Sequence, residues 1–291
     1  MTVNDWLTRW EQLHALRVRP NTIRGYRAAL AHLSAGFRAL DCNQVTGMDW
    51  ECEIARVAAT MPRQAQIMHA ALRKAWNDGI RLRMIDLENR PYLYAEGPRH
   101  RAKTAAYLQP EEIAAYVREA VKQPAAVPLL LMVLCGLRRG EALGLTWADI
   151  DEGGGWLHIR QQVYNGQITE LKSITSNRDL PVNLTLIKYL YRHGDNNSKM
   201  LYNMGVKCLY RSHRAALAAA GIDRGITLHG LRHSCATAAL AAGADVKTVQ
   251  SILGHAHYAT TADIYCHALM SAEREALDAI SRAAGTRLEI A

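Results

Sequence analysis

Two arginines occupy settings that suit chemistry on a phosphodiester. Arg138 stands in GLRRGEALGL with Glu141 three residues on, and Arg232 stands in LHGLRHSCATAAL with His229 three residues before it. A spacing of three puts each pair on one face of a helix. A phosphodiester gains negative charge in its five-coordinate transition state, so a catalyst working without metal needs fixed cationic donors around the non-bridging oxygens. Guanidinium groups are permanently charged and fork-shaped, which fits Arg138 and Arg232 to that task and makes lysine a poor substitute at either place. His255, in ILGHAHYATTADIYCHAL, can add one further hydrogen bond. His229 reads as a group that accepts or positions a proton, and Glu141 as support that orients Arg138 or His229.

No cluster of carboxylates offers a site for metal ions that would activate water, so the attacking atom is expected on a side chain. A tyrosine would form a phosphotyrosine ester. That ester conserves the bond free energy, so the released hydroxyl can reverse the step without ATP. Two tyrosines compete: Tyr258 follows His255-Ala256-His257, whereas Tyr265 lies between Thr260-Thr261 and Cys266-His267. His229 and His233 are spaced like the ligands of a zinc helix, but Gly230 stands where H-E-x-x-H has glutamate and no third ligand is evident, so no metal and no cofactor is expected. Arg178, in SNRD, is assigned to phosphate contact or strand structure, and Arg139 to a non-catalytic position.

The elements that must position these residues follow from periodicity. Trp6, Trp10, Leu13 and Leu16 share a helical face, and Pro20-Asn21-Thr22 starts a second helix through Ile23, Tyr26, Leu30 and Leu33. Further helical runs span 49–59 and 62–79. Periodicity then fades into RLRMIDLENRPYLYAEGPRHRAKTAAYL, which reads as a basic linker over 83–107 between a helical domain at 1–82 and a second domain at 108–291. In the second domain Pro110, Glu111 and Glu112 open a helix, and the apolar run 127–137 reads as a buried one. WLHIRQQVY and QITELK flank Asn165-Gly166, a two-residue hairpin signal, and NRDLPV reads as a third strand. From Asn183 onward the pattern is helical again. The expected fold is mainly α with a small inserted antiparallel β-sheet.

The chain has 291 residues, enough for two cores, and a formal charge of +8. Residues 1–107 hold 16 Lys and Arg against 10 Asp and Glu, so most of the excess lies in the first third. A basic, arginine-rich domain suits a polyanion. The longest apolar run falls short of a membrane helix, and VNDWLTRWEQL is no secretory leader, so the expected location is the cytoplasm, without membrane attachment. Six scattered cysteines with no C-x-x-C argue against disulfides and zinc.

Taken together, G-L-R-x-x-E, a strand lysine before S-x-R-x-x-P, H-x-x-R, L-G-H and T-T-x-x-x-Y-x-H occur here in the order of the tyrosine recombinase (phage integrase) family, which the second domain resembles throughout. The first domain resembles, with less specific matching, the family's SAM-like core-site DNA-binding domain. The resemblance selects Tyr265 as nucleophile and implies that Lys172, at the end of the second hairpin strand, is the mobile general acid. It completes a catalytic set of Arg138, Lys172, His229, Arg232, His255 and Tyr265, with Glu141 and His267 in support. It also implies a clamp of two domains on double-stranded DNA and a homo-tetramer formed by exchange of the C-terminal helix in SAEREALDAISRAAG, acting through a Holliday junction, with accessory DNA-bending or directionality proteins as further partners. A phage or mobile-element integrase is favoured. The alternatives are a Xer-like resolvase, a type IB topoisomerase, or a non-catalytic DNA-binding protein of the same fold.

Overall fold

A computed structural model of the chain describes residues 1–98, 106–171 and 176–254. Two compact units result, Met1–Lys103 and Thr104–Ala291, each with its own apolar core. Among the described residues no helix is long and apolar enough to cross a membrane.

The first unit is helical: α1 (Val3–Ala15), α2 (Pro20–Leu30), α3 (Ala35–Ala39), α4 (Gly47–Ala58) and α5 (Pro62–Arg81). Local chemistry fixes the helix starts. Thr2 with Asp5, and Thr46 with Asp49, form reciprocal capping boxes, while Pro20 and Pro62 sit in first turns where a missing N–H costs nothing. Trp6 and Trp10 of α1 turn inward, and their indole N–H groups donate to Ala75 O (3.1 Å) and Asp78 Oδ2 (2.9 Å) on α5. Burying two tryptophans with both polar tips satisfied pins α1 along α5.

The chain after α5 departs from the linker expected to begin at residue 83. Ile85 and Tyr92 are buried in the first unit's core, and Tyr92 donates to Asn77 Oδ1. A Cβ on Gly79 would meet Ile85 Cδ1 at 2.7 Å, so the glycine makes room for the returning chain. Two apolar residues spaced irregularly among charges carry no periodic signal, which is why this fold-back reads as linker in the sequence.

The second unit holds α6 (Pro110–Ala120), α7 (Ala126–Leu134), α8 (Arg139–Gly144), β1 (Ile150–Asp151), β2 (Trp156–Ile159), β3 (Gln161–Tyr164), β4 (Gln167–Glu170), β5 (Arg178–Pro181), α9 (Leu184–His193), α10 (Gly205–Ala219), α11 (Leu228–Ala241) and α12 (Val246–Leu253). Residues Ala126 to Val133 of α7 are all buried, so this helix is the axis of the core. The strands make two antiparallel sheets, ordered β1-β2-β5 and β3-β4, rather than one. The stretch read as a single strand, 156–164, breaks at Arg160. On one side Leu157 pairs with Leu180 and Ile159 with Arg178; on the other, β3 and β4 close around Asn165 (φ 50°) and Gly166 (φ 79°). Arg160 turns its guanidinium to Arg178 O and to Asp179, holding the break on β5. The β3 strand instead lies on α8, where a Cβ on Gly144 would meet Gln162 Cα at 2.8 Å.

Candidate active site

The site is assembled where α7, α8, β5, α11 and α12 meet. Past the end of α7, Gly136 adopts φ +64°, a conformation that favours glycine, and reverses the chain so that Leu137 is buried and Arg138 caps α8. The backbone N–H of Arg138 donates to Glu141 Oε2 (2.9 Å) and its Nη1 to Glu141 Oε1 (2.6 Å). Arg138 Nη2 donates to Gly254 O (2.9 Å), and Nη1 also reaches Ser176 Oγ (3.4 Å). A third of this side chain remains open to solvent, whereas Glu141 is 1% exposed.

Two more guanidiniums converge on that carboxylate. Arg178 Nη2 donates to Glu141 Oε2 at 3.0 Å, and Arg232 Nη1 lies 3.9 Å from the same oxygen. Arg232 is buried; its Nη1 donates to Gly136 O (2.6 Å) and its Nη2 to Leu253 O. Arg178 Nε donates to Ile252 O (2.7 Å) and Nη1 to Ser176 O (3.0 Å). Three arginines therefore occupy three consecutive carbonyls, Ile252, Leu253 and Gly254, at the end of α12. A helix C-terminus carries unsatisfied carbonyls and partial negative charge, so it is a natural seat for cations. Gly254, at φ +62°, ends the helix there and directs the chain into residue 255.

Helix α11 begins with Thr227, whose hydroxyl accepts from Gly230 N (3.1 Å). His229 and His233 on this helix face one another, ring centroids 4.6 Å apart and nearly perpendicular. Burial, then the charges of Arg232 and Arg138, hold His229 below the ordinary imidazole value, although part of its side chain stays open to solvent. His233 is more enclosed and is pushed down to about 4 by burial, then by His229 and Arg232. Both imidazoles are therefore neutral near pH 7, the form that can accept a proton. Glu141 shows the opposite balance: burial raises its carboxyl, but the charge and hydrogen bond of Arg178, followed by Arg138 and Arg232, hold it below the usual range and keep it ionised.

Of the residues singled out in the sequence, Arg138, Glu141 and Arg232 come together, and His229 stands one turn from Arg232 on α11. Glu141 holds Arg138 directly, at 2.6 Å. Lys172, His255, Tyr265 and His267, together with the rival Tyr258, lie outside the described residues. Arg178 joins the cluster through Glu141, an association its assignment to phosphate contact or strand structure did not anticipate. The signal was present as alternation. On β5 the buried positions are Arg178 and Leu180, so an arginine shares parity with a core leucine and points inward. Among the described residues no group of three or more His, Cys, Asp or Glu is arranged to hold a metal ion.

Comparison with known proteins places this geometry. The sequence profile of the phage integrase family matches residues 106–272. Tyrosine recombinase XerC of Agrobacterium fabrum is 34% identical over 142 residues, covering 47% of this chain and 44% of the relative. Tyrosine recombinase XerD of Mycobacterium tuberculosis is 33% identical over 159 residues, covering 50% of this chain and 49% of the relative. The matches thus span about half the length of these curated relatives. Among solved structures, the Tn1549 transposon integrase in complex with a circular intermediate DNA aligns with TM-score 0.74 and 18% identity, over 91% of this chain and 95% of that one. A lambda integrase dimer bound to a COC′ core site aligns with TM-score 0.70 and 19% identity, over 91% and 95%. At these identities the likeness establishes the fold.

Proposed function

The chain belongs to the phage integrase family, and from that premise we propose that it is a site-specific DNA recombinase that cuts and rejoins double-stranded DNA through a 3′-phosphotyrosine link to Tyr265. The observation that carries the reading is the buried arginine cluster. Three guanidiniums share one carboxylate among the described residues, which leaves a surplus of positive charge beside the partly open Arg138. A surplus of that kind suits an anion, and a phosphoryl group gaining charge in its transition state is the anion for which fixed donors do most.

In this reading the Tyr265 hydroxyl oxygen attacks the scissile phosphorus, and the bond from phosphorus to the 5′ oxygen breaks. Arg138, Arg232 and His255 stabilise the non-bridging oxygens. Neutral His229 accepts or positions the tyrosine proton, while Lys172 gives a proton to the departing 5′ oxygen. Glu141 keeps the arginines in place, and His267 helps to place Tyr265. No metal and no cofactor enters the scheme. Rejoining reverses the sequence with a 5′ hydroxyl from a second duplex.

Residues 1–82 are assigned to core-site DNA binding, 83–107 to the connection and 108–291 to catalysis. Burial of Ile85 and Tyr92 in the first unit's core supports a later start of the connection than residue 83. A lambda integrase tetramer has been solved on a Holliday junction; carried to this chain, four protomers assemble on two DNA sites, and the segment 271–291 docks on the neighbouring protomer. Accessory DNA-bending or directionality proteins are further partners, and the protein works at the nucleoid. Integration and excision of a phage or mobile element is the favoured role. Resolution of the Xer kind is the second reading, supported by the XerC and XerD relatives.

The test is a suicide substrate nicked beside the cleavage point and incubated without metal. The expected result is a protein–DNA adduct that survives denaturation, maps to Tyr265 and is absent in Tyr265→Phe. An adduct on Tyr258, or none on any DNA flanking the element, would overturn the assignment. Joining of strands from two duplexes then separates a recombinase from a topoisomerase.

A further inference from the structure

We infer that Arg178 is a positioning residue for strand cleavage, acting through Glu141 to hold Arg138 and the end of α12 in register. This rests on the recombinase reading above. Arg178 is the one cluster arginine that arises from the sheet, where its backbone pairs with Ile159 of β2. Its side chain is 7% exposed. Two of its nitrogens reach other elements and the third reaches back along its own chain. Nε bonds Ile252 O of α12, Nη1 bonds Ser176 O in the chain leading to β5, and Nη2 bonds Glu141 of α8. The contacts to Ile252 and Glu141 join β5 to α12 and to α8. The planar fork of arginine serves three fixed acceptors at once, which a lysine ammonium on the same strand cannot match in geometry.

The consequence lies in Glu141. A carboxylate almost wholly removed from water would take up a proton unless cations compensate it. Arg178 supplies the largest compensation, ahead of Arg138 and Arg232. Among the described residues, the charged groups acting on Glu141 are Arg138 at the head of its own helix, Arg178 from β5 and Arg232 from α11, with His229 beside Arg232 and Arg138. The thiols of Cys135 and Cys235 stand beyond them and are neutral, since burial pushes them up to about 12 and about 11. While Glu141 is ionised it grips Arg138 through both the backbone N–H and Nη1. Once protonated it holds the guanidinium only as a neutral acceptor, and Arg138 is free to follow water or the carbonyl of Gly254. Loss of Arg178 therefore weakens one constraint and removes another: the compensation that keeps Glu141 ionised against Arg138, and the donor on Ile252 that steadies the end of α12.

The test uses the full-length chain and single-turnover adduct formation on the suicide substrate, followed across pH in Arg178→Met, Arg178→Lys, Glu141→Gln and the double variant Arg178→Met/Glu141→Gln. Arg178→Met is expected to slow cleavage by roughly 100-fold, the scale of a displacement of about 1 Å in a reacting group. It should also move the acid limb of the profile to higher pH, because Glu141 now protonates more easily. Arg178→Lys should recover part of the rate and return the limb towards the parent. The double variant should be no slower than the worse single variant and should lose the shifted limb, since both substitutions act on one coupling.

An unchanged rate and profile in Arg178→Met overturns the inference. So does a slower enzyme whose acid limb stays put and whose loss adds to that of Glu141→Gln, because that pattern is loss of packing alone. Should Arg178→Met fail to fold, Arg178→Lys decides by rate: it keeps the charge but not the planar fork, and cleavage as fast as the parent's is the overturning result. A carbon-13 titration of the Glu141 carboxyl in the DNA-free chain reads the same coupling without activity, and should show the pKa rising in Arg178→Met, or in the equally uncharged Arg178→Gln if Arg178→Met does not fold. A parent chain that forms no adduct sinks the recombinase reading; a parent that does, with a titration unmoved by Arg178 substitution, sinks only this inference.

Discussion

Among the described residues each unit buries one glutamate beneath arginine, and the two sites are built to opposite ends. In the first unit Glu53 is 6% exposed. It accepts from Ser34 N (2.6 Å), Ser34 Oγ (2.8 Å) and Arg56 Nη2 (2.6 Å), and Arg56 itself is half in water. One carboxylate meets one cation, and neutral donors fill the remaining lone pairs. The result is a staple that ties α4 to Ser34, the N-cap of α3. In the second unit, among the described residues, Glu141 meets Arg138, Arg178 and Arg232, three cations on one carboxylate. Burying uncompensated charge costs several kcal/mol per ion. A fold holds such a surplus where it serves a site, so the excess, more than burial itself, marks the functional centre.

Breaking the comparison at its strongest point gives the largest effect. Arg138→Ala should slow adduct formation by about 100-fold or more, the loss typical of a preorganised donor, while Arg56→Ala, exposed and outside the site, should leave the rate within about twofold. Single-turnover cleavage of the nicked substrate measures both. Equal losses would erase the distinction between the clusters.

A pH signature follows from the histidine beside the cationic site. His233 is depressed from 6.5 to about 4. A folded pKa below the unfolded one means that the folded state binds the proton less readily, so this stability is full above pH 6.5 and is lost as pH falls from there towards 4. The shift corresponds to about 3 kcal/mol. Chemical denaturation of the second unit should therefore weaken over that window, and His233→Asn should flatten the slope. In the parent, a flat profile between pH 7 and 4.5 would contradict the burial seen here.

Glu53→Ala sharpens the contrast from the other side. It strands Ser34 and the inner face of Arg56, and should cost about 1–3 kcal/mol of first-unit stability in a urea melt. Cleavage per folded molecule should not change. Smallest is the effect of Gly25→Ala on α2, where nothing lies within 4 Å of the added methyl; it should stabilise the first unit by about 0.5–1 kcal/mol. Gly144→Ala, by contrast, drives a methyl into the backbone of Gln162 and should destabilise the second unit. Thermal melts of the two variants would expose any error in these opposed signs.

Much of this was legible in the residues. The helix starts at Thr2, Pro20, Pro62 and Pro110 follow from capping and proline chemistry that acts within four residues. The hairpin turn at Asn165-Gly166 follows from the ease with which those two residues adopt positive φ. The pairing of Arg138 with Glu141 was equally local, running from the N-cap of α8 to the third residue of the helix. Less legible were Ile85 and Tyr92, which return to the first core without any period, and the break at Arg160, where a continuous strand-like run changes partners because β2 is claimed by β5 and β3 by α8.

By itself the sequence determined the mainly helical class and the small antiparallel insert, and it singled out Arg138, Arg232 and Glu141 as candidates, since propensity, capping and motif spacing are short-range. Only the tertiary structure decided that three arginines distant in the chain share Glu141 and the last carbonyls of α12. It likewise decided that Arg178 belongs to the site at all. The reason is that charge balance is a sum over space: whether a buried carboxylate meets one cation or three depends on how β5, α11 and α12 pack against α8, and no spacing along the chain encodes that count.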